Sequence, residues 1–139
     1  MTDKPTVLRI HHVAFAHSGE SAPHDKFADL LGIEVCHSED VTGFVERMIP
    51  AGEAFVQMLE STGPGVVEKF VDKRGNALHH VAFEVDDLNA FVEQLHSRGV
   101  RLIDQQPREG GMGTMIAFIH PEEFNGLLVE LVETPDEAH

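Results

Sequence analysis

The hydrophobic pattern of the chain predicts short strands alternating with amphipathic helices. Apolar and β-branched residues fill the segments 7–15 and 77–85, which are too short for helices and are predicted to be strands. A helical segment and several further strands follow each of them, separated by turns rich in glycine, proline and aspartate. Each half of the chain is therefore predicted to run strand, helix and then several strands.

Two helices are marked by their apolar residues and their ends. The clearer one covers 87–98, where the residues at the spacing i, i+3, i+4 and i+7 are Leu88, Phe91, Val92 and Leu95. Asp86 or Asp87 is the expected N-cap of this helix, and Gly99 is its expected end. In the first half a helix is predicted over 24–31, and it is also followed by a glycine.

The two halves of the chain correspond to each other. HHVAF occurs at 11–15 and again at 79–83, and an exact repeat that is followed by similar segments in the same order indicates an internal duplication. Near the end of each half, FVQMLE corresponds to LVELVE, which makes Gln57 the counterpart of Glu130. The chain therefore contains one module twice.

Length and composition fit a single domain. A chain of 139 residues, of which 42% are hydrophobic, has enough apolar surface for one core. The expected organisation is a first module over about 7–60, a connector over 61–76 with a helix at 66–73, and a second module over about 77–134. We expect both modules to form one α+β domain over 1–139.

Charge and cysteine content exclude several classes of function. The net charge of -14 opposes binding to nucleic acid and to anionic membranes, because both attract basic surfaces. No apolar run approaches the roughly 18 residues that cross a bilayer, and the N-terminus lacks a secretory pattern, so we expect a cytoplasmic protein with no membrane partner. Cys36 is the only cysteine, which rules out an intrachain disulfide, and it is predicted to be a small buried residue.

The paired histidines are candidates for a metal site. Side chains alternate between the two faces of a strand, so only one histidine of each pair can face a common site. Because the two copies are equivalent, the inward histidines are either His11 with His79 or His12 with His80. The alternation of side chains leaves both sets open.

Gln57 and Glu130 complete the candidate site. Each is a single polar residue on an otherwise apolar strand face, and burying such a group without a partner is costly. Two imidazoles, one amide oxygen and one carboxylate form a mixed nitrogen and oxygen ligand set, which suits a divalent Co, Ni, Zn, Mn or Fe ion. The duplicated positions therefore predict one divalent metal ion per chain, without identifying the metal.

Six segments of the chain resemble the methylmalonyl-CoA epimerases of the vicinal oxygen chelate superfamily. They are HHVAF at 11–15, VQMLE at 56–60, FVDKRGNALHHVAFEVDD at 70–87, GVRL at 99–102, FIHP at 118–121 and GLLVELVE at 126–133. The resemblance implies two βαβββ modules in tandem, which form a cupped mixed sheet around a divalent ion. It also implies the ligands His12, Gln57, His80 and Glu130, and so selects the second histidine of each pair.

The same resemblance implies a reaction. These enzymes interconvert (2R)- and (2S)-methylmalonyl-CoA by removing the proton alpha to the thioester on one face and returning a proton on the other, through a metal-stabilised enolate. The residues that match the two bases are Glu46, in GFVE, and Glu130. Glu46 corresponds to Ile116 in the second copy, and this difference indicates a specific role, with an exposed strand glutamate as the alternative. Glu130 is implied both as ligand and as base, which requires that it detaches or that a water relays the proton.

Three other functions use the same scaffold. An extradiol-type dioxygenase would use His12, His80 and Glu130 as a facial triad for Fe(II), but it has no need of Gln57. A glyoxalase I-like isomerase would use a related four-ligand site, and a metal-free binding protein of the bleomycin-resistance kind would lack these ligands.

His120, in FIHP, is expected to bond to the backbone. The expected partner is an acyl-CoA substrate, with ethylmalonyl-CoA as a second candidate, and the expected assembly is a homodimer.

Overall fold

The computed structural model describes residues 4–135, and within them eight strands and three α-helices. The strands are β1 (Val7–His17), β2 (His37–Val41), β3 (Phe44–Ala51), β4 (Ala54–Ser61), β5 (Ala77–Val85), β6 (Arg108–Glu109), β7 (Met115–Ile119) and β8 (Val129–Glu133). The helices are α1 (Pro23–Lys26), α2 (Val66–Arg74) and α3 (Leu88–Ser97). A π-helical turn over Phe27–Leu31 continues α1, and short 3-10 turns cover Gly111–Gly113 and Pro121–Phe124. None of the helices in the described part of the chain is long and apolar enough to span a membrane.

The chain forms two compact units, and each contains a four-stranded mixed sheet. The first unit is His12–His79, and the second unit combines residues 4–11 with residues 80–135. In the first unit the strand order is β2-β3-β4-β1, with β1 parallel to β4 and the other pairs antiparallel. In the second unit the order is β5-β8-β7-β6, with β5 parallel to β8 and the other pairs antiparallel. The predicted order of strand, helix and three strands is therefore confirmed in both copies.

Helix α3 covers one face of the sheet in the second unit. The buried residues of this core are Val85, Leu88, Val92, Leu102, Ala117, Ile119, Val129 and Leu131. Leu131 lies on this face, and because side chains alternate along β8, Glu130 lies on the opposite one. The helix thus leaves the face that carries Glu130 open to other groups.

The N-cap of α3 is Asp87, one of the two predicted candidates. Its carboxylate accepts a hydrogen bond of 3.0 Å from the backbone N–H of Ala90. We expect Asp87→Ala to lower the free energy of unfolding by about 1 kcal/mol, because that N–H loses its partner at the helix end. Urea denaturation measures the change. Asp87→Asn retains a side-chain acceptor and should unfold like the wild type, and equal losses in both variants would contradict a capping role.

Two acidic residues, Glu84 and Asp86, bond the beginning of β1 and the residue before it to the rest of the second unit. Glu84 is only 9% exposed, and it accepts hydrogen bonds from Arg9 at 3.3 Å and from Thr134 at 3.1 Å. Asp86 accepts hydrogen bonds from the backbone N–H and the hydroxyl of Thr6, both at 2.9 Å, and these bonds hold the pKa of Asp86 below its usual range. The hydrophobic pattern alone did not identify Glu84 as a buried charge.

Cys36 contradicts the prediction that it is buried. Its side chain is exposed, although its backbone N–H donates to the carbonyl of Met48 at 2.9 Å. The residue immediately precedes β2, which lies at the edge of the first unit's sheet. A residue beside an edge strand has less protein around it than one in a central strand, which explains the exposure.

Candidate metal centre

His80 and Glu130 are in contact on one face of the second unit's sheet. Ala82 pairs with Glu130 between the parallel strands β5 and β8, and His80 precedes Ala82 by two residues, so all three side chains share a face. The Nε2 atom of His80 lies 3.1 Å from Oε1 of Glu130, and both residues are buried. The ring of Phe118 packs edge-on against the imidazole at 5.2 Å between centroids. A buried imidazole and a buried carboxylate therefore present adjacent ligand atoms.

His12 and Gln57 have the equivalent positions in the first unit. Ala14 pairs with Gln57 between the parallel strands β1 and β4, and His12 precedes Ala14 by two residues. Both His12 and Gln57 are buried. The Nε2 atom of Gln57 donates a hydrogen bond of 3.4 Å to the thioether sulfur of Met48. The first unit thus contains a buried imidazole and a buried amide that is hydrogen-bonded to Met48.

The strand registers are equivalent in the two copies. In the first copy Met48 pairs with Gln57 and Glu46 pairs with Leu59. In the second copy the corresponding pairs are Phe118 with Glu130 and Ile116 with Val132. The same register in both copies agrees with the internal duplication. Glu46 is half-buried and shares its strand face with Gln57. Ile116 is buried in a cluster with Ala82 and Val132. An acid in the first copy therefore occupies the position of a core residue in the second.

Burial separates the histidines of one pair but not of the other. In β5, His80 is buried, whereas His79 is half-buried and its ring lies edge-on to Phe70 at 4.7 Å. In β1, both His11 and His12 are buried, at 6% and 4% exposure. The pairing of Ala14 with Gln57 is what sets His12 apart, because it puts His12 on the amide's face.

His120 and Met48 complete the comparison with the sequence. The Nδ1 atom of His120 accepts a hydrogen bond of 3.1 Å from the backbone N–H of Glu122, which confirms the expected bond to the backbone. The sequence analysis did not identify Met48. The two-residue turn Gly52-Glu53 between β3 and β4 contains the missing signal, because a tight hairpin fixes the register and so pairs Met48 with Gln57.

The donor atoms in both units suit a divalent metal ion. Imidazole nitrogen binds Zn, Cu, Fe and Ni well, and carboxylate and amide oxygens extend the range to Mn. Each of the four side chains is buried, and such polar groups are stable in the interior only with strong partners. The residues present in each unit, one imidazole with an amide or a carboxylate, therefore fit the donor types that a divalent ion takes.

Comparisons with known proteins identify the family of the chain. A family model of the glyoxalase/bleomycin resistance protein/dioxygenase superfamily matches residues 11–118. The ethylmalonyl-CoA/methylmalonyl-CoA epimerase of Cereibacter sphaeroides is 31% identical over 128 residues, which cover 88% of this chain and 96% of that protein.

Solved structures give the same result for the fold. The crystal structure of methylmalonyl-CoA epimerase from Mycobacterium tuberculosis is similar with a TM-score of 0.88 and 32% identity, over 99% of this chain and 95% of that one. A methylmalonyl-CoA epimerase in complex with methylmalonyl-CoA and NH4+ has a TM-score of 0.85 and 32% identity, over 93% and 96% of the two chains. The fold is the vicinal oxygen chelate fold of these structures, as expected from the sequence. The chain therefore belongs to the glyoxalase/bleomycin resistance protein/dioxygenase superfamily and, within it, to the family of the methylmalonyl-CoA epimerases.

Proposed function

We propose that this protein is a metal-dependent methylmalonyl-CoA epimerase, which interconverts the 2R and 2S forms of its substrate. The observation that carries the proposal is the equivalent burial and register of His12 with Gln57 and of His80 with Glu130, in a chain of the epimerase family. A related structure that contains methylmalonyl-CoA supports the same class of substrate.

One divalent ion per chain is proposed to bind His12, Gln57, His80 and Glu130. The two histidines and the glutamate each offer a ligand atom of a type that divalent ions prefer, and the amide oxygen of Gln57 is the fourth. When bound, a divalent ion acts as a Lewis acid that stabilises negative charge on substrate oxygens. Co, Zn, Ni, Mn and Fe(II) all fit this ligand set, and cobalt is the first to test because its visible spectrum reports its coordination.

Glu46 and Glu130 are the proposed proton carriers. In one direction, a carboxylate oxygen takes the proton from C2, the electrons of the C–H bond delocalise into an enolate, and the other glutamate returns a proton to the opposite face of C2. Two groups are needed, because a single base returns the proton to the face from which it came. Since Glu130 is also a proposed ligand, it carries the proton either after detaching or through a water.

The proposal extends to the assembly and the location of the protein. An acyl-CoA is the proposed partner, and the protein is proposed to be a homodimer in the cytoplasm that acts in propionate metabolism. A single cysteine suits a reducing compartment. The family match over residues 11–118 includes parts of both units, which supports one domain built from two modules.

Proton exchange with solvent tests the epimerase activity directly. With metal-loaded protein in D2O, we expect the C2 proton of methylmalonyl-CoA to be replaced by deuterium while the 2R and 2S forms equilibrate. Mass spectrometry and chiral analysis of the CoA ester follow both changes, and ethylmalonyl-CoA tested in parallel shows how large a branch is accepted. A protein that holds its metal but exchanges no proton on either substrate is not an epimerase of these esters.

A further inference from the structure

We propose that Met48 orients the side-chain amide of Gln57, so that its carbonyl oxygen is the atom presented to the metal ion; this inference rests on the proposed function. The two residues pair directly between β3 and β4. The Nε2 atom of Gln57 donates to the sulfur of Met48 at 3.4 Å, and the two residues are 6% and 2% exposed. Met48 is therefore a buried neighbour that bonds one end of the amide.

The chemistry of the two side chains determines which end of the amide is bonded. A thioether sulfur is an acceptor and cannot donate, so only the NH2 end of Gln57 can bond to Met48. The carbonyl oxygen at the other end is then turned away from the sulfur. This matters for metal binding, because a half-turn of the amide would present N–H donors, which a cation repels, in place of an oxygen ligand.

The second copy provides an internal comparison. The counterpart of Gln57 is Glu130, whose two carboxylate oxygens are both acceptors, so a half-turn of this side chain still presents an oxygen. The counterpart of Met48 is Phe118, which pairs with Glu130 in the same register and packs edge-on against His80. A sulfur acceptor thus lies beside the amide ligand, and an aromatic ring lies beside the carboxylate that needs no orientation.

A simple packing role for Met48 makes a different prediction. Met48 is almost fully buried, and a buried methionine fills space whatever ligand lies beside it. If packing were its only role, Met48→Leu would have the same effect whether residue 57 is glutamine or glutamate. An orienting role requires that the effect disappears when the amide is replaced by a carboxylate.

Titration with Co²⁺, followed by its visible absorption, tests this role in four proteins. They are the wild type, Met48→Leu, Gln57→Glu and the double variant. We expect Met48→Leu to raise the Kd for Co²⁺ about fivefold in the glutamine background, the equivalent of one hydrogen bond of about 1 kcal/mol, and to leave the Kd unchanged in the glutamate background. Thermal unfolding of each protein checks that leucine, which has a similar volume, leaves the fold intact.

Met58→Leu is the matched control, because Met58 is also buried and lies on the opposite face of β4, where it pairs with Arg47. It is expected to keep the Kd of the wild type. Equal effects of Met48→Leu in both backgrounds, or no effect in either, would overturn the orienting role. A wild-type protein that binds no Co²⁺ overturns the four-ligand site and this role together. Normal Co²⁺ results with no proton exchange overturn the epimerase activity alone.

Discussion

His80→Ala is expected to abolish stable metal binding and, with it, epimerisation. His80 is buried, and its Nε2 atom lies 3.1 Å from Oε1 of Glu130. Loss of a group that only supports a ligand typically weakens metal binding by about 10- to 100-fold, and loss of a ligand itself should exceed that range. Metal analysis after dialysis should therefore fall from about one ion per chain to a small fraction of that value. Proton exchange at C2 should fall with it.

His79→Ala is the matched control for this experiment. His79 belongs to the same HHVAF string but is only half-buried, and its ring packs against Phe70. We expect this variant to lose some stability and to keep its metal. If both variants lose the metal, the cause is damage to β5 and not the loss of a ligand. If His80→Ala binds metal like the wild type, His80 is not a ligand.

Glu46→Gln is expected to leave metal content unchanged and to reduce inversion by about 10²- to 10⁴-fold, the usual contribution of a general acid or base. The substitution keeps the size of the side chain but removes the group that carries the proton. Glu46 pairs with Leu59 and is not itself a proposed ligand, so the metal content is expected to stay unchanged.

Deuterium exchange at C2 and inversion at C2 are measured separately, because a variant with one remaining base can exchange the proton without inverting the centre. In the Glu46→Gln variant, Glu130 can still remove the proton of one epimer and return a deuteron to the same face. We therefore expect one epimer to exchange in D2O without inverting, while the other exchanges slowly. Glu53→Gln, in the exposed turn between β3 and β4, is the control and should invert at the rate of the wild type. Wild-type inversion by Glu46→Gln would exclude Glu46 as a base.

Much of the fold could be predicted from the chain. The apolar spacing over 87–98 predicted α3, which covers Leu88–Ser97, and Asp87 caps it. The two helix-ending glycines, Gly32 and Gly99, have positive φ angles of 71° and 73°, where glycine is favoured. These features depend on residues close in sequence. The exposure of Cys36 was predicted wrongly, because it depends on β2 being an edge strand.

The candidate ligand residues could be predicted from the sequence better than the residues that contact them. The duplication identified Gln57 and Glu130 as counterparts, and their burial agrees with that expectation. The resemblance to the epimerases selected His12 and His80, and the assignment of all four as ligands of one ion stays a prediction. Met48 was missed because its own residue type is ordinary for an apolar strand, and only the register fixed by the turn Gly52-Glu53 pairs it with Gln57.

The sequence by itself determined that a module of one strand, one helix and several strands occurs twice, that Gln57 is the counterpart of Glu130, and that Glu46 corresponds to Ile116 of the second copy. Local patterns settle these points, because side-chain type, strand alternation and helix ends depend on near neighbours in the chain. Only the tertiary structure decided that Met48 bonds to Gln57 and that Phe118 packs against His80. Those contacts join separate strands, and they depend on the register of strand pairing, which brings particular side chains within reach of one another.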